Sequence, residues 1–210
     1  MSTPDGAIVM DHPLLKVLMS TLRDVNSSTG VFRQTLNKIA GLLATEATRH
    51  FEITAVPVTT PLTVTQGARL TRPVIIVPIL RAGLGLVDGM LPLLSDATIA
   101  HVGIARNEET ALPEPYYAKL PSTLPEAEVL LVDPMLATGG SACEALNQLK
   151  AAGASRLTLV TVVSCPEGIT AVRTAHPDVR LVTAVIDECL NERCYIVPGL
   201  GDAGDRYFGT

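Results

Sequence analysis

Apolar residues follow two different patterns along the chain. Between residues 17 and 51 they recur at helical spacing, and the polar stretch 26–30 interrupts them, which predicts two helices joined by a turn. Residues 53–71 are rich in Thr, Val and Pro and predict an irregular hairpin or arm. From Arg72 onward, short runs of aliphatic and β-branched residues alternate with helical patterns.

The second pattern predicts buried strands separated by helices. Strands are expected at 74–79, 98–104, 129–132, 157–163 and 179–186, and helices at 85–94, 142–151 and 166–174. Strands that alternate with helices form βαβ units, so we expect an α/β fold with a mainly parallel central sheet flanked by helices. No repeat, low-complexity tract or linker interrupts residues 1–210, which predicts a single domain.

Composition narrows the classes of function. The chain has 210 residues and a net charge of −5, which disfavours a nucleic-acid binder because such proteins need a basic face. Its apolar runs are shorter than the ~20 residues that span a bilayer, so no membrane segment is expected. The N-terminus lacks the pattern of a signal peptide, which favours a cytoplasmic location. The four cysteines lack metal-site spacing and are expected to be free thiols: Cys143, Cys165, Cys189 and Cys194.

Residues 129–142 are the most informative stretch for chemistry. A predicted buried strand ends at the carboxylate of Asp133, and the loop 138–141, Thr-Gly-Gly-Ser, opens the next predicted helix. A helix N-terminus offers unpaired backbone N–H groups and a positive dipole end, which suit a phosphate. The carboxylate beside it suggests the hydroxyls of a sugar phosphate. The alternative is an ordinary turn in which Thr138 or Ser141 caps the helix and Asp133 is solvated. The phosphate loop of nucleotide hydrolases is excluded, because its GxxxxGK[ST] pattern does not occur here.

Residues 132–141, Val-Asp-Pro-Met-Leu-Ala-Thr-Gly-Gly-Ser, resemble the phosphoribosyl-diphosphate-binding motif of uracil phosphoribosyltransferases. Pro134 stands where the wider type I phosphoribosyltransferase class usually has a second acid, which is typical of the uracil branch. The resemblance extends to residues 77–85, 106–110 and 195–205, in the order of the family. It implies the type I phosphoribosyltransferase fold, with a β-arm and a C-terminal hood over the base. It also implies the conversion of uracil and phosphoribosyl diphosphate to UMP and diphosphate, a reaction of pyrimidine salvage.

The resemblance also implies which residues form the site. Phosphoribosyl diphosphate would be bound by Arg81, Arg106, Asp133, Pro134, Met135, Leu136, Ala137, Thr138, Gly139, Gly140, Ser141 and Asp202. Uracil would be bound by Ile196, Gly201, Asp202 and Ala203, in a glycine-rich loop whose backbone exposes donors and acceptors. Asp133 and Asp202 are the catalytic candidates. Asp133 would accept hydrogen bonds from the ribose hydroxyls, and Asp202 would help to remove the proton from N1, through a water molecule.

The two arginines, Arg81 and Arg106, are expected to face the diphosphate, since a guanidinium binds phosphate oxygens in a bidentate manner. Arg106 would also begin a flap over that group. The alternative for either arginine is a surface ion pair, and for the glycine-rich loop it is a plain turn. Mg²⁺ is the expected cofactor, held mainly through the diphosphate rather than by a protein metal site.

Several questions stay open at the level of sequence. The loop around Asp133 does not determine which base the enzyme uses. The second hypothesis is therefore a transferase for hypoxanthine, guanine or orotate. A third is an RNA-binding regulator that senses pyrimidine nucleotides, which the acidic charge disfavours. The family resemblance implies a homodimer or homotetramer and GTP as an effector, although no GTP pocket is recognisable. Cys143, Glu188, Cys189 and Cys194 depart from the family pattern near the site.

Overall fold

The computed structural model of the chain describes residues 6–106 and 113–210. A short strand, β1 (Ile8–Val9), precedes two helices, α1 (Pro13–Arg23) and α2 (Thr29–Ala47). Ser28 caps the second helix by accepting a hydrogen bond from the backbone N–H of Val31, at 3.4 Å. The two helices and the turn between them are therefore confirmed. The turn exists because its polar residues offer the backbone alternatives to helical hydrogen bonds.

The predicted arm is a regular hairpin rather than an irregular one. Strands β2 (Ile53–Thr59) and β3 (Val64–Leu70) pair antiparallel without a break, from Ile53 opposite Leu70 to Thr59 opposite Val64. The hairpin forms its own small sheet, and most of its residues are exposed.

The main sheet confirms the predicted architecture. Its strands are β1, β4 (Val74–Leu80), β5 (Thr98–Ile99), β6 (His101–Arg106), β7 (Pro113–Lys119), β8 (Glu128–Val132), β9 (Met135–Leu136), β10 (Leu157–Ser164) and β11 (Arg180–Ile186). They lie in the order β1-β11-β10-β8-β4-β6-β7, with β5 beside β4 and β9 beside β10. All described pairings are parallel except that of β6 with β7.

Helices cover both faces of this sheet: α3 (Leu84–Met90), α4 (Gly140–Ala151) and α5 (Pro166–Ala175) follow β4, β9 and β10. Along β4, Val74 and Ile76 belong to the core beneath α1 and α2, while Ile75 and Val77 belong to the core beneath α4 and α5. This double burial explains the unbroken apolar runs of the strands. The fold is thus α/β, with a single domain built on a mainly parallel sheet.

The C-terminal residues form the hood. A small hairpin joins β12 (Cys189–Leu190) to β13 (Ile196–Val197), and a short helix, α6 (Ala203–Phe208), follows it. Residues 198–202 connect the hairpin to the helix.

Some predicted boundaries were wrong. Helix α3 ends at Met90 rather than at Leu94, because Pro92 lacks the N–H that a further helical turn needs. The strand predicted at 98–104 is two strands, β5 and β6, interrupted at Ala100, whose N–H donates to the carbonyl of Ile76 at 3.0 Å. In the part of the chain that the structure describes, no helix is long and apolar enough to cross a membrane.

Candidate active site

Asp133 lies directly after β8, at the carboxyl edge of the sheet. Its backbone N–H donates to the carbonyl of Val160 in the neighbouring strand, at 3.1 Å, which fixes its position. Burial raises the pKa of its carboxyl to about 7, and a hydrogen bond from the backbone N–H of Met135 offsets part of that rise. The side chain nevertheless retains partial contact with solvent, so it is accessible to a ligand. Asp133 is therefore not the fully solvated turn residue of the alternative interpretation.

The first part of the loop after Asp133 is anchored to β10. The carbonyl of Pro134 accepts hydrogen bonds from the N–H groups of Val162 and Val163, at 3.1 and 2.9 Å. The carbonyl of Leu136 accepts one from Cys165 at 3.1 Å. Pro134 and Leu136 are buried, and Leu136 packs into the core beneath α4 and α5. These two predicted site residues hold the loop in place from beneath.

The second part of the loop leads into α4. Gly139 precedes the helix with φ +85°, a left-handed conformation that favours glycine. A Cβ there would also lie 2.9 Å from the Cβ of Ala171, so this glycine is required by the turn and by its packing on α5. Gly139 is the N-cap residue of α4 and has no side chain to cap it, and among the described residues the backbone N–H of Gly140 has only a long contact of 3.4 Å to the hydroxyl of Thr138. Within the part of the chain that the structure describes, the first N–H groups of α4 thus keep donor capacity that suits an anion.

The hood faces this loop across a cavity of about 320 Å³. The loop side contributes Asp133, Met135, Ala137 and Ser141, and Ala82 lies beside them; the hood contributes Arg193, Cys194, Tyr195, Ile196, Gly201, Asp202, Ala203 and Gly204. The structure therefore brings together the four predicted uracil-binding residues and the predicted sugar-phosphate loop. Four larger cavities, of about 350 to 550 Å³, lie elsewhere among the described residues, and none of the predicted site residues lines them. Because ligands of parallel sheets bind at the carboxyl ends of the strands, we assign the site to the smaller cavity.

Asp202 has two structural environments within the hood. Its Oδ1 atom caps α6 by accepting a hydrogen bond from the N–H of Asp205 at 2.9 Å. Its side chain is otherwise exposed, toward the cavity that it lines. The second carboxylate oxygen has no hydrogen-bond partner among the described residues and is free to meet a ligand.

Arg81 does not line the cavity in this structure. Its guanidinium lies 5.5 Å over the ring of Phe208, and its Nη2 atom is 3.9 Å from Oδ1 of Asp205, both in α6. Arg81 is exposed, and the peptide bond that precedes it, from Leu80, is cis. Gly83, two residues further on, is buried. A Cβ at this position would lie 2.5 Å from the carbonyl oxygen of Val132, so the turn packs closely against the end of β8.

Arg106 is the last residue of β6. Strand β6 pairs in parallel with β4, whose last residue, Leu80, precedes Arg81, so the backbones of Arg81 and Arg106 lie at the same edge of the sheet. Residues 107–110, the rest of the predicted flap, lie outside the described residues.

The sequence did not single out Arg193, Cys194 and Tyr195 as site residues, although they line the cavity. They occupy the turn between β12 and β13, where Asn191 accepts hydrogen bonds from the N–H groups of Arg193 and Tyr195. Cys194 has φ +60°, which is unusual for a residue with a side chain. Their position immediately before Ile196 could have identified them from the sequence. Residues in a hairpin turn lie next to the strand that follows, and Ile196 in that strand was a predicted site residue.

Among the described residues, no group of three His, Cys, Asp or Glu side chains is arranged to hold a metal ion. The carboxylates at the cavity are Asp133 and Asp202. That donor set fits Mg²⁺ that arrives on a diphosphate, because Mg²⁺ is commonly held by one or two carboxylates together with substrate phosphates and water.

Comparison with known proteins agrees with this geometry. The model of the family "Uracil phosphoribosyltransferase" matches residues 9–210. A uracil phosphoribosyltransferase of Wolinella succinogenes is 50% identical over 98% of this chain and 99% of its own length. One of Ligilactobacillus salivarius is 50% identical over 96% of this chain and 97% of its own. The solved structure of the AQ2163 protein from Aquifex aeolicus superimposes with a TM-score of 0.93, at 34% identity, over 97% of this chain and 98% of that one.

A more distant structural likeness extends to the wider class. The adenine phosphoribosyltransferase of Trypanosoma brucei, solved with AMP, pyrophosphate and ribose-5-phosphate, matches with a TM-score of 0.56 at 15% identity, over 93% of this chain and 87% of its own. At that identity the likeness supports the shared fold alone.

Proposed function

Since the chain belongs to the uracil phosphoribosyltransferase family, its reaction is the transfer of a phosphoribosyl group from phosphoribosyl diphosphate to uracil, and we propose that the cavity between the Asp133 loop and the hood is where it occurs. The products are UMP and diphosphate, which places the enzyme in pyrimidine salvage. The observation that carries the proposal is that this one cavity is lined by both Asp133 and the loop Gly201–Ala203.

The sugar phosphate would bind on the Asp133 side. An ionised carboxylate at Asp133 accepts hydrogen bonds from two neighbouring ribose hydroxyls. The 5′-phosphate would be bound by backbone N–H groups at the start of α4 and by the hydroxyls of Thr138 and Ser141. The glycine at the N-cap of α4 supports this assignment, because it leaves the helix start without a side-chain cap and its partial positive charge suits an anion.

Uracil would bind on the hood side. Its ring has acceptors at O2 and O4 and a donor at N3, so it needs both kinds of partner in a narrow plane. The backbone of Gly201 and Ala203 offers both, and the buried side chain of Ile196 offers an apolar surface for the ring. The free oxygen of Asp202 is suited to accept the N1 proton through a water molecule while the new bond forms.

The diphosphate would leave toward Arg81 and Arg106. Arg81 would turn from α6 into the cavity, and this costs little because its contact with Asp205 is long and exposed. Positive groups stabilise the charge that develops on the leaving diphosphate. Mg²⁺ bound to the diphosphate would supply further charge neutralisation, with Asp133 and Asp202 as the nearby protein oxygens.

Assembly and regulation are further parts of the proposal. The hairpin of β2 and β3 exposes Ile53, Leu62 and Val64 by 69%, 95% and 63%, which supports a homodimer or homotetramer that covers them. GTP as an activator rests on the family resemblance alone. The four free cysteines support a reducing, cytoplasmic location. Sedimentation would report the oligomer, and rates with and without GTP would report activation.

A base panel tests the reaction. The enzyme is incubated with phosphoribosyl diphosphate, Mg²⁺ and either uracil, hypoxanthine, guanine or orotate, and the nucleotides are separated by chromatography. UMP should be the dominant product. A faster reaction with another base would favour the second hypothesis, and no product with any base would contradict the proposal.

A further inference from the structure

One ion pair outside the cavity holds the base-binding loop by its backbone. Arg23 is the last residue of α1, and Asp187 follows β11. The guanidinium donates to both carboxylate oxygens of Asp187, at 2.8 and 2.6 Å. The same guanidinium donates to the carbonyl of Gly199 at 2.6 Å, and the N–H of Gly199 donates to Asp187 at 2.8 Å. Both polar backbone groups of Gly199 are therefore bound by a single ion pair.

This pair is largely buried. The side chain of Asp187 is 4% exposed and that of Arg23 is 25% exposed, so neither is a freely moving surface charge. The backbone N–H of Asp187 donates to the carbonyl of Ser164 at 2.8 Å, which ties the carboxylate to the sheet. The ion pair therefore fixes the position of the loop relative to the sheet that also carries Asp133.

A second arginine also binds the backbone of this loop. Arg206, in α6, donates to the carbonyl of Leu200 at 2.9 Å and to those of Leu22 and Asp24 at 2.7 and 2.6 Å. Its guanidinium lies 4.5 Å over the ring of Phe32. The C-terminus of α1 and the loop are therefore joined twice, by Arg23 of α1 and by Arg206 of α6.

The loop needs such anchors because of its composition. Gly199 and Gly201 have φ values of +60° and +79°, and glycines lose more conformational freedom on ordering than other residues do. Recognition of a flat base by backbone groups works only if those groups are already in place. The residues proposed to contact uracil, Gly201 to Ala203, lie just beyond the anchored Gly199 and Leu200.

We propose that Arg23 and Asp187 are positioning residues that set the base-binding loop and thereby the affinity for uracil. The inference rests on the proposed function of the cavity. Neither residue lines that cavity, so they act through Gly199 rather than on the reacting atoms. Phosphoribosyl diphosphate, bound mainly by the Asp133 loop, should be little affected.

The test compares kinetic constants of Arg23→Lys and Asp187→Asn with those of the wild type. Lysine keeps the charge but cannot donate to Asp187 and Gly199 in the forked geometry of a guanidinium. We expect KM for uracil to rise at least tenfold in both variants, while KM for phosphoribosyl diphosphate changes less than twofold. The control is Lys150→Met, which removes the 2.6 Å ion pair with Asp178 away from the cavity and should leave both constants unchanged.

Three results would overturn the inference: an unchanged KM for uracil, an equal rise in both constants, or a loss of kcat alone. If the wild type itself made no UMP, the proposed function would fail instead. Amide hydrogen exchange of the wild type covers the case in which the variants do not fold. The Gly199 amide should exchange at least tenfold more slowly than that of Gly201, and equal rates would contradict the anchoring.

Discussion

Asp133, at the end of β8, and Asp202, at the start of α6, line the same cavity from opposite sides. Their environments differ: burial raises the pKa of Asp133, while Asp202 is exposed and uses one oxygen to cap a helix. Two carboxylates in different environments can perform different tasks in one reaction. In our proposal Asp133 binds the sugar and Asp202 acts beside the base.

Asp133 should lower the stability of the empty enzyme at neutral and higher pH. Its pKa of about 7 in the folded protein lies above the usual value of 3.8, so the folded state holds the proton more tightly than the unfolded state. The free energy of unfolding therefore falls as pH rises from about 4 to 7, and the loss is complete above pH 7. Asp133→Asn removes this loss.

Urea unfolding at pH 5 and pH 8 measures this effect. The gain in unfolding free energy of Asp133→Asn over the wild type should be about 2–3 kcal/mol larger at pH 8 than at pH 5. Equal gains at both values would show that the carboxyl titrates normally.

The same group should shape the pH dependence of substrate capture. For the free enzyme, kcat/KM for phosphoribosyl diphosphate should rise with pH and level off above about pH 7, because the ionised form of Asp133 accepts hydrogen bonds from the ribose hydroxyls. At pH 6 it should be about one tenth of the plateau. The substrate phosphate titrates near pH ~6, so Asp133→Asn is the control: its residual activity should lack the step near 7. A step that persists in this variant would belong to another group.

Asp202→Asn should reduce turnover more than it reduces binding of phosphoribosyl diphosphate. Asparagine remains a good helix cap, so α6 is kept while the proton acceptor is lost. We expect kcat to fall by about 100-fold, with KM for phosphoribosyl diphosphate within about threefold. Asp202→Ala separates the two roles, since it should lose the same activity and also about 1 kcal/mol of stability. An unchanged kcat in Asp202→Asn would show that the proton is accepted elsewhere.

Two adjacent glycines give a matched test of the phosphate loop. Gly139→Ala should destabilise the protein by about 1–3 kcal/mol, because φ is +85° and the new methyl group meets Ala171. Gly140→Ala should instead be neutral or stabilising by about 0.5–1 kcal/mol, since no atom of the described residues lies closer than 3.7 Å to the new Cβ and the residue is helical. Thermal unfolding of both variants checks this, and similar shifts would contradict the loop geometry.

Cys194 should be replaceable by glycine but not by valine. Its φ of +60° disfavours side chains, β-branched ones most of all. Cys194→Gly should be at least as stable as the wild type, and Cys194→Val about 1–2 kcal/mol less stable. Uracil affinity measured on both variants would report whether the thiol itself contacts the base. Equal stability of the two variants would argue against a left-handed turn here.

The sequence predicted those parts of the fold whose residues are buried on both sides. Strands β4, β8, β10 and β11 are apolar runs because their side chains are buried in a hydrophobic core on each face of the sheet. Strand β7 was missed, since Pro113–Lys119 is polar, exposed and contains prolines, as edge strands often do. Helix α6 was missed because it is short and glycine precedes it.

The candidate site was predictable only where it is local in sequence. Asp133 and its loop form one continuous motif, and so does the stretch from Ile196 to Ala203. The ion pair of Arg23 with Asp187 joins distant elements and has no local pattern, so only the fold reveals it. The direction of the Arg81 guanidinium is likewise set by α6, a helix that the sequence did not predict.

A crystal structure of the enzyme with UMP would show directly whether the cavity between the Asp133 loop and the hood is the active site. We expect the ribose hydroxyls to contact Asp133, the 5′-phosphate to lie at the N-terminus of α4, and the base to lie against Gly201–Ala203. UMP bound elsewhere, such as in the 550 Å³ cavity lined by Arg72 and Arg156, would contradict this assignment.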